Sequence, residues 1–215
     1  PWIKKVEERD DASAESVLRH IEASMKRLAT DYLDFYQVWN VMNPSNWADA
    51  VKPGGFVDGI REAKRRGWVR HLGFTAHESP ENLLKILDGA DWCEVLLVTY
   101  NMLNASYAPA LAKARSLGIG TIVMNPVGGG KLAEESSVFR EIQAQSRTPS
   151  APRLAVRYAL SNLGIDTLIV GISKRSDVDD AFAALEQGPL DAKAIGAIDA
   201  VRERLTRKNV NFCTR

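Results

Sequence analysis

The residues that could do chemistry in this chain follow short apolar runs that are typical of β-strands. In parallel sheets, ligands bind at the carboxyl ends of the strands. Polar side chains or glycine turns occupy five such ends: Trp39-Asn40, Thr75-Ala76-His77, Tyr100-Asn101, residues 124–130 and residues 171–174. Two of these ends are glycine turns before a helix, where backbone N–H groups can approach a phosphate closely. Any one of them could be a plain βα turn, but their clustering predicts a nucleotide site.

The elements that position these ends are strands separated by amphipathic helices. The first helix has a cap at Ser13 and an apolar stripe formed by Val17, Ile21, Met25 and Leu28. The apolar runs begin near positions 33, 69, 95, 119 and 167, with a crossover between each pair, which indicates an α/β fold with a parallel sheet. Five strands are too few to close a (β/α)₈ barrel. The sheet is therefore either open and doubly wound, or three βα units lie upstream of Pro1.

Composition excludes several classes of protein. The 215 residues include 28 Lys and Arg against 27 Asp and Glu, mixed along the chain, so no basic face for nucleic acid is expected. No stretch approaches the about 18 to 20 apolar residues of a membrane span, and the first residues lack the apolar core of a signal peptide. Cys93 and Cys213 are too far apart in sequence for a local metal pair or a disulfide framework. We expect a cytoplasmic protein with neither nucleic acid nor membrane as a partner.

Five ordered motifs of the chain resemble the aldo-keto reductases. They are residues 31–36 (DYLDFY), residues 67–77 (GWVRHLGFTAH), the pair Tyr100-Asn101, residues 124–132 (MNPVGGGKL) and residues 154–160 (LAVRYAL). The resemblance covers nearly the whole chain, and five motifs in order are far more specific than any one alone. It implies a TIM (β/α)₈ barrel of the NADP-linked oxidoreductase type, treated as one domain, of which this chain supplies strands four to eight.

The resemblance also implies an activity, the NAD(P)H-dependent reduction of a small-molecule carbonyl compound. In the family, a Tyr donates the proton, a Lys paired with an Asp lowers the pKa of that Tyr, and a His orients the substrate. The first three groups are implied to lie on units upstream of Pro1, and the His position matches Trp39, whose indole has one donor and no acceptor. We therefore expect Trp39, Asn40 and His77 to be the residues of this chain that face the substrate.

The cofactor implied by the resemblance is NADP or NAD. The residues expected to bind it are Thr75, Tyr100, Asn125, Pro126, Val127, Gly128, Gly171, Ser173, Lys174 and Arg175. Thr75 matches the hydroxyl that binds the nicotinamide amide, whereas Ala76 and Leu97 replace two amide side chains of the family. Asp177 stands where the family has Arg or Gln. Because an acidic residue there opposes a 2′-phosphate, the expected preference for NADP over NAD is slight.

The end of the chain is similar to one branch of the family. The strand end Gly73-Phe74-Thr75-Ala76-His77 is most like the branch that carries a cysteine cluster for an iron–sulfur centre after the barrel, and Cys213 resembles the first cysteine of that cluster. A 4Fe-4S cluster needs about four cysteines. We expect one only if the chain continues past Cys213, and we predict no metal site within these residues.

The same sequence is compatible with two other functions and with self-association. Trp39, Ala76 and Leu97 also fit a non-catalytic barrel that acts as a nucleotide-binding or regulatory module, and the strand count alone allows an unrelated open-sheet protein. An incomplete barrel exposes the edges of its outer strands, which predicts self-association. Residues 41–55 and 133–152 are expected to be substrate loops, in which Trp47 and Phe56 fit either an apolar pocket or a hydrophobic surface patch covered by a neighbour.

Overall fold

The computed structural model describes residues 11–41 and 43–207, with the side chain of Asn40 outside this description. Within these residues, helices and strands alternate along the chain. In chain order the elements are α1 (Ala14–Leu28), β1 (Leu33–Val41), α2 (Pro44–Val51), α3 (Phe56–Arg65), β2 (Val69–Ala76), α4 (Pro80–Asp88), β3 (Val95–Thr99), α5 (Ala108–Ser116), β4 (Gly120–Met124), α6 (Arg140–Gln145), α7 (Ala151–Leu160), β5 (Thr167–Ile169), α8 (Arg175–Gln187) and α9 (Ala192–Arg207). A 3₁₀ turn, Gly128–Gly130, lies between β4 and α6.

The described strands form one five-stranded sheet in which β1 to β5 lie in chain order. β1 and β2 pair in parallel with Leu33 opposite Val69, and β4 and β5 pair in parallel with Val123 opposite Leu168. At least one helix joins each strand to the next, as parallel neighbours require. The predicted α/β class with a parallel sheet is confirmed.

The chain divides into two compact units, residues 1–96 and residues 97–215. In the first unit, α1 begins at its predicted cap, Ser13, whose hydroxyl accepts a hydrogen bond from a backbone N–H of the first turn. Most of the predicted apolar stripe is buried, namely Val17, Ile21 and Met25. Leu28, the fourth residue of the stripe, is 65% exposed, because α1 ends there and Ala29 turns the chain with φ of 51°. The prediction for Leu28 is therefore wrong.

Helices α1 and α3 of the first unit pack closely at Gly59. A Cβ atom at this position would lie 2.0 Å from Cγ1 of Val17 and 2.7 Å from the carbonyl oxygen of Ala14. Both separations are far below van der Waals contact, so only glycine fits between the two helices.

The segment expected to be a substrate loop, residues 41–55, contains the helix α2. Its start follows capping rules, since the side chain of Asn43 accepts a hydrogen bond from the backbone N–H of Asn46 and Pro44 is the first helical residue. The aromatic candidates for a pocket in this region have ring neighbours. Trp47 lies 5.3 Å from Phe74, centroid to centroid, and Phe56 lies 6.3 Å from Tyr36. Both side chains are half-buried, and their assignment to a pocket stays a prediction.

In the second unit, the guanidinium of Arg157 connects two loops to α7. The residue is only 8% exposed. It donates hydrogen bonds to the backbone oxygens of Ser146 and Gly188, both at 2.9 Å, and to the hydroxyl of Thr148 at 2.5 Å. A buried guanidinium without partners would be costly. The two loops that supply these partners, before α7 and after α8, are therefore held in place by Arg157.

We searched the described residues for a membrane-spanning helix, a metal site and a reactive thiol. No helix among them is both long enough and apolar enough to cross a membrane. The same residues contain no group of three or more His, Cys, Asp or Glu side chains that could hold a metal ion. Cys93 is buried, and burial raises the pKa of its thiol to about 12, so this thiol is not a nucleophile at neutral pH.

Large apolar side chains are exposed on the outer strands β1 and β5 and on the nearby helix α8. Phe35 of β1 is 54% exposed and Ile169 of β5 is 51% exposed. On α8, Phe182 and Leu185 are 63% and 58% exposed. Outer strands also present backbone groups that can pair with another chain, so both features favour self-association.

We expect the isolated 215-residue chain to associate as its concentration rises, which sedimentation velocity would measure. Replacement of Ile169 and Phe182 together by Ser should shift the distribution toward monomer, because it removes apolar surface next to the β5 edge. Leu163→Ser is the matched control, since Leu163 is 83% exposed but lies outside β5 and α8. A monomer at all concentrations would contradict this expectation.

Candidate functional site

The turn that follows β4 has an unusual backbone. Asn125 has φ of 56°, and Gly128, Gly129 and Gly130 have φ of 60°, 63° and 93°. This left-handed region is open to glycine and tolerated by Asn but unfavourable for other residues. The sequence of the turn therefore suits its conformation, and the backbone is exposed at Gly129 and Gly130.

Asn101 holds this turn in place. It is 3% exposed, and its side-chain NH₂ donates a hydrogen bond to the backbone oxygen of Asn125 at 3.0 Å. Its side-chain oxygen accepts hydrogen bonds from the backbone N–H groups of Leu103 and Asn104, both at 2.9 Å. One buried amide thus connects the end of β3 to the end of β4.

A cavity of about 460 Å³ opens beside this turn, within the second unit. Its walls come from the turn after β4, the segment after β5, and the helices α7 and α8. Among the lining residues are Asn125, Pro126, Val127, Gly171 and Ser173, so the structure brings together five of the residues predicted to bind the cofactor. The volume is in the range typical of small-molecule sites.

The ionisable residues that line this cavity are two aspartates of α8, Asp177 and Asp180. Asp180 is paired: its Oδ1 lies 3.0 Å from a guanidinium nitrogen of Arg153 and accepts a hydrogen bond from the hydroxyl of Ser150. Asp177 accepts hydrogen bonds from backbone N–H groups at the start of α8, and these bonds lower the pKa of its carboxyl group. Asp177 is therefore ionised at neutral pH, and no cation of the cavity lining opposes it.

Several residues predicted to bind the cofactor do not line the cavity. Tyr100 is buried and stacks on Tyr158 of α7, with ring centroids 5.6 Å apart. The assignment of Tyr100 to the cofactor stays a prediction. Lys174 and Arg175 are exposed at the start of α8, and Gly128 is buried behind its two glycine neighbours.

Three predicted residues lie at strand ends of the first unit. Trp39 is 46% exposed and lies where the register between β1 and β2 shifts, and Thr75 is buried near the end of β2. His77 follows β2 and is exposed, with its backbone N–H bonded to the oxygen of Val41. Partial burial lowers the pKa of the His77 imidazole. Asn40 lies in β1, and its side chain is outside the described residues.

Several residues of this site are not predictable from the motifs alone. Asn101 and Val156 belong to motifs that assign them no role, and Asp180 lines the cavity without any signal in the sequence. For Asn101 a signal exists, because an Asn directly after a buried strand often hydrogen-bonds backbone groups in turns. The lining residues of α7 and α8 depend on how the helices pack, which the pattern does not specify.

Comparison with known proteins decides the family. The sequence matches the profile of the Aldo/keto reductase family over residues 3–203, which is most of the chain. The chain belongs to the aldo/keto reductase family. It is 25% identical over 215 aligned positions to L-galactose dehydrogenase of Arabidopsis thaliana, covering 90% of this chain and 66% of that protein. It is 31% identical over 137 positions to Protein tas of Escherichia coli (strain K12), covering 51% of this chain and 39% of the relative.

Solved structures of aldo/keto reductases have the same fold as this one. The holo form of aldo-keto reductase AKR11C1 from Bacillus halodurans superimposes with a TM-score of 0.73 at 20% identity, over 89% of this chain and 68% of that chain. The apo form gives a TM-score of 0.69 at 20% identity. The predicted barrel-type α/β fold is therefore confirmed, with five parallel strands described in this aldo/keto reductase.

Two finer predictions about this aldo/keto reductase stay predictions. Cys213, expected to begin a cysteine cluster, lies outside the described residues, and neither the similarity to the iron–sulfur branch nor a 4Fe-4S cluster has support from these relatives. The chain spans 66% of the length of the Arabidopsis relative and 39% of the length of the Escherichia coli relative. That three barrel units precede Pro1 stays a prediction.

We expect Asn101→Ala to lower the free energy of unfolding by about 1–3 kcal/mol, because it removes three hydrogen bonds between the side chain and the backbone of the two turns. Asn104→Ala is the matched control, since the Asn104 side chain accepts hydrogen bonds from Ser106 within its own turn and does not bridge to the turn after β4. Urea denaturation of both variants measures the difference. An Asn101→Ala variant as stable as Asn104→Ala would show that the amide does not hold the turn.

An NMR titration should give His77 a pKa below its ordinary value of 6.5, with His77→Gln used to assign the resonance. Because the unfolded chain then binds the proton more readily than the folded chain, the His77 contribution to stability is present above about pH 6.5 and is lost as pH falls through the folded pKa. The fall in stability on acidification should be smaller in His77→Gln. A pKa at or above 6.5 would contradict this.

Proposed function

We propose that this chain binds a nicotinamide dinucleotide, NAD or NADP, and that the complete protein uses NAD(P)H to reduce a small carbonyl compound. The observation that supports the proposal is the cavity formed by the turn after β4 and the segment after β5, in a chain of the aldo/keto reductase family. Parallel α/β folds bind ligands at this end of their strands. The exposed glycine backbone of the turn is compatible with the close approach of a phosphorylated ligand.

The residues present fit the adenosine side of such a cofactor better than its nicotinamide side. Apolar walls from Val127, Val156 and Ile172 suit a base, and Ser173 offers a hydroxyl. On the nicotinamide side we assign Thr75, whereas Ala76 and Leu97 carry no amide that could bind the carboxamide group. Bound NAD(P)H would supply a hydride.

The roles that remain for this chain at the substrate are orientation and hydrogen bonding. His77 is exposed and has a lowered pKa, so its neutral imidazole can donate one hydrogen bond and accept another. Trp39 can donate one hydrogen bond through its indole N–H or stack on an apolar substrate. Neither Trp39 nor neutral His77 is a strong proton donor at neutral pH. We assign Trp39, Asn40 and His77 to substrate positioning and expect the proton donor elsewhere in the complete protein.

One observation favours a second candidate function. The strand-end position that holds a His in the family is Trp39 in this chain, and the two amide positions are Ala76 and Leu97. A chain with these replacements could keep nucleotide affinity without catalysis and act as a regulatory module. Binding and turnover must therefore be measured separately. Cytoplasmic localisation and the absence of nucleic-acid and membrane partners remain predictions.

We expect NADH or NADPH to bind the 215-residue chain, detected by a change in the fluorescence of its tryptophans or of the dihydronicotinamide. Gly171→Leu should weaken binding at least about tenfold, because it adds a bulky side chain to the lining of the cavity. An added Cβ at Gly171 meets no protein atom within 4 Å, so the variant should fold. Gly196→Leu is the matched control, since Gly196 is equally open but lies on α9, outside the cavity.

The outcomes separate the candidate functions. Binding that Gly171→Leu weakens and Gly196→Leu does not, together with reduction of an aldehyde panel by the complete protein, supports the enzyme. Binding without reduction supports the non-catalytic module. If neither dinucleotide binds, both proposals fail.

A further inference from the structure

The side chain of Asp177 binds backbone N–H groups at the start of its own helix, α8. Its Oδ2 accepts hydrogen bonds from the backbone N–H groups of Ser173 and Lys174, at 2.9 and 3.0 Å. Backbone N–H groups at the start of a helix are otherwise available to a bound anion. At α8, the two N–H groups that directly precede the helix are already bonded to a carboxylate, which itself lines the cavity.

The charge of the cavity wall also disfavours an anion at the start of α8. Its ionisable lining residues are Asp177 and Asp180, and the cation of Arg153 offsets the charge of Asp180. Lys174 and Arg175, which could attract a phosphate, are exposed and do not line the cavity. Lys174 is close enough to contribute to the lowered pKa of Asp177, so part of its charge is already balanced.

The same carboxylate suits a neutral hydroxyl group. A carboxylate has about four acceptor sites on its two oxygens, so two backbone bonds leave capacity for further donors. A ribose with a free 2′-hydroxyl can donate to it, as acidic residues accept from ribose in other dinucleotide sites. A 2′-phosphate carries about two negative charges near neutral pH and has no comparable donor, so it would be repelled.

We infer that Asp177 makes this cavity select a dinucleotide with an unmodified adenosine ribose, NAD(H), over its 2′-phosphorylated form, NADP(H). The inference rests on the proposed function, in which this cavity holds the adenosine part of the cofactor. Asp177 acts as a specificity residue and takes no part in hydride transfer.

Two variants and one control test this inference. Asp177→Asn keeps an oxygen acceptor for the two backbone N–H groups and removes the charge, and Asp177→Ser keeps a smaller capping oxygen. Asp179→Asn removes the same charge two residues along α8, from an exposed side chain that does not line the cavity. Dissociation constants for NADH and NADPH are measured by fluorescence titration of the full chain, at low and high salt.

We expect the wild-type chain to bind NADH at least about fivefold more tightly than NADPH at low salt, and the difference to shrink at high salt because salt screens exposed charges. In Asp177→Asn and Asp177→Ser the ratio should fall to near one or reverse, mainly through tighter NADPH binding. Asp179→Asn should keep the wild-type ratio.

Each other outcome has a defined meaning. If the wild-type chain binds NADPH as tightly as NADH, or if the ratio survives in both Asp177 variants, the inference is overturned while the proposed function stands. If the ratio changes equally in Asp179→Asn, the effect is one of overall charge and the inference is likewise overturned. If no variant binds either dinucleotide, both the inference and the proposed function fail. The wild-type ratio alone decides the matter should the Asp177 variants not fold.

Discussion

The turns of the candidate site are linked by the buried side chain of Asn101, whose NH₂ donates a partly buried hydrogen bond to the backbone oxygen of Asn125. The same oxygen accepts a second bond from the backbone N–H of Gly128. The carboxyl ends of parallel strands lie at one edge of a sheet, but the turns that follow them are free to adopt many conformations. Asn101 restricts that freedom because it also accepts hydrogen bonds from its own turn. The two turns are thereby fixed to each other, and the positive φ of Asn125 is maintained.

This restriction determines what the cavity presents to a ligand. The turn after β4 contributes glycine backbone and apolar side chains, and α8 contributes carboxylates. In the proposed function the ligand is a dinucleotide, which is an anion. A wall with acidic rather than basic side chains would then bind it through its neutral parts, the base and the ribose hydroxyls, and through phosphate oxygens bound by backbone. The family's fold is compatible with this arrangement because the strands supply the scaffold, and the turns and helix starts supply the chemistry.

The sheet is predictable from the sequence because its strands are apolar on both faces and are separated by helices with clear caps, such as Ser13. Prediction failed where one signal had two interpretations. The polar segment around Asn43 and Pro44 forms a helix rather than the expected loop, although its capping residues are visible in the sequence. The resemblance assigned Tyr100 to the cofactor and left Asn101, its partner in the motif, without a role. Only the packing of α7 shows that the ring is enclosed and the amide is the connecting group.

The close packing at Gly59 has a consequence for how this sequence can vary. Surface positions of a helix usually accept most residues, and α3 has several such positions. At Gly59 the nearest atoms belong to the backbone and a branched side chain of α1, and neither can move away without separating the two helices. Even alanine is thus excluded, and folded variants of this unit are expected to keep glycine at this position, whatever ligand the protein binds.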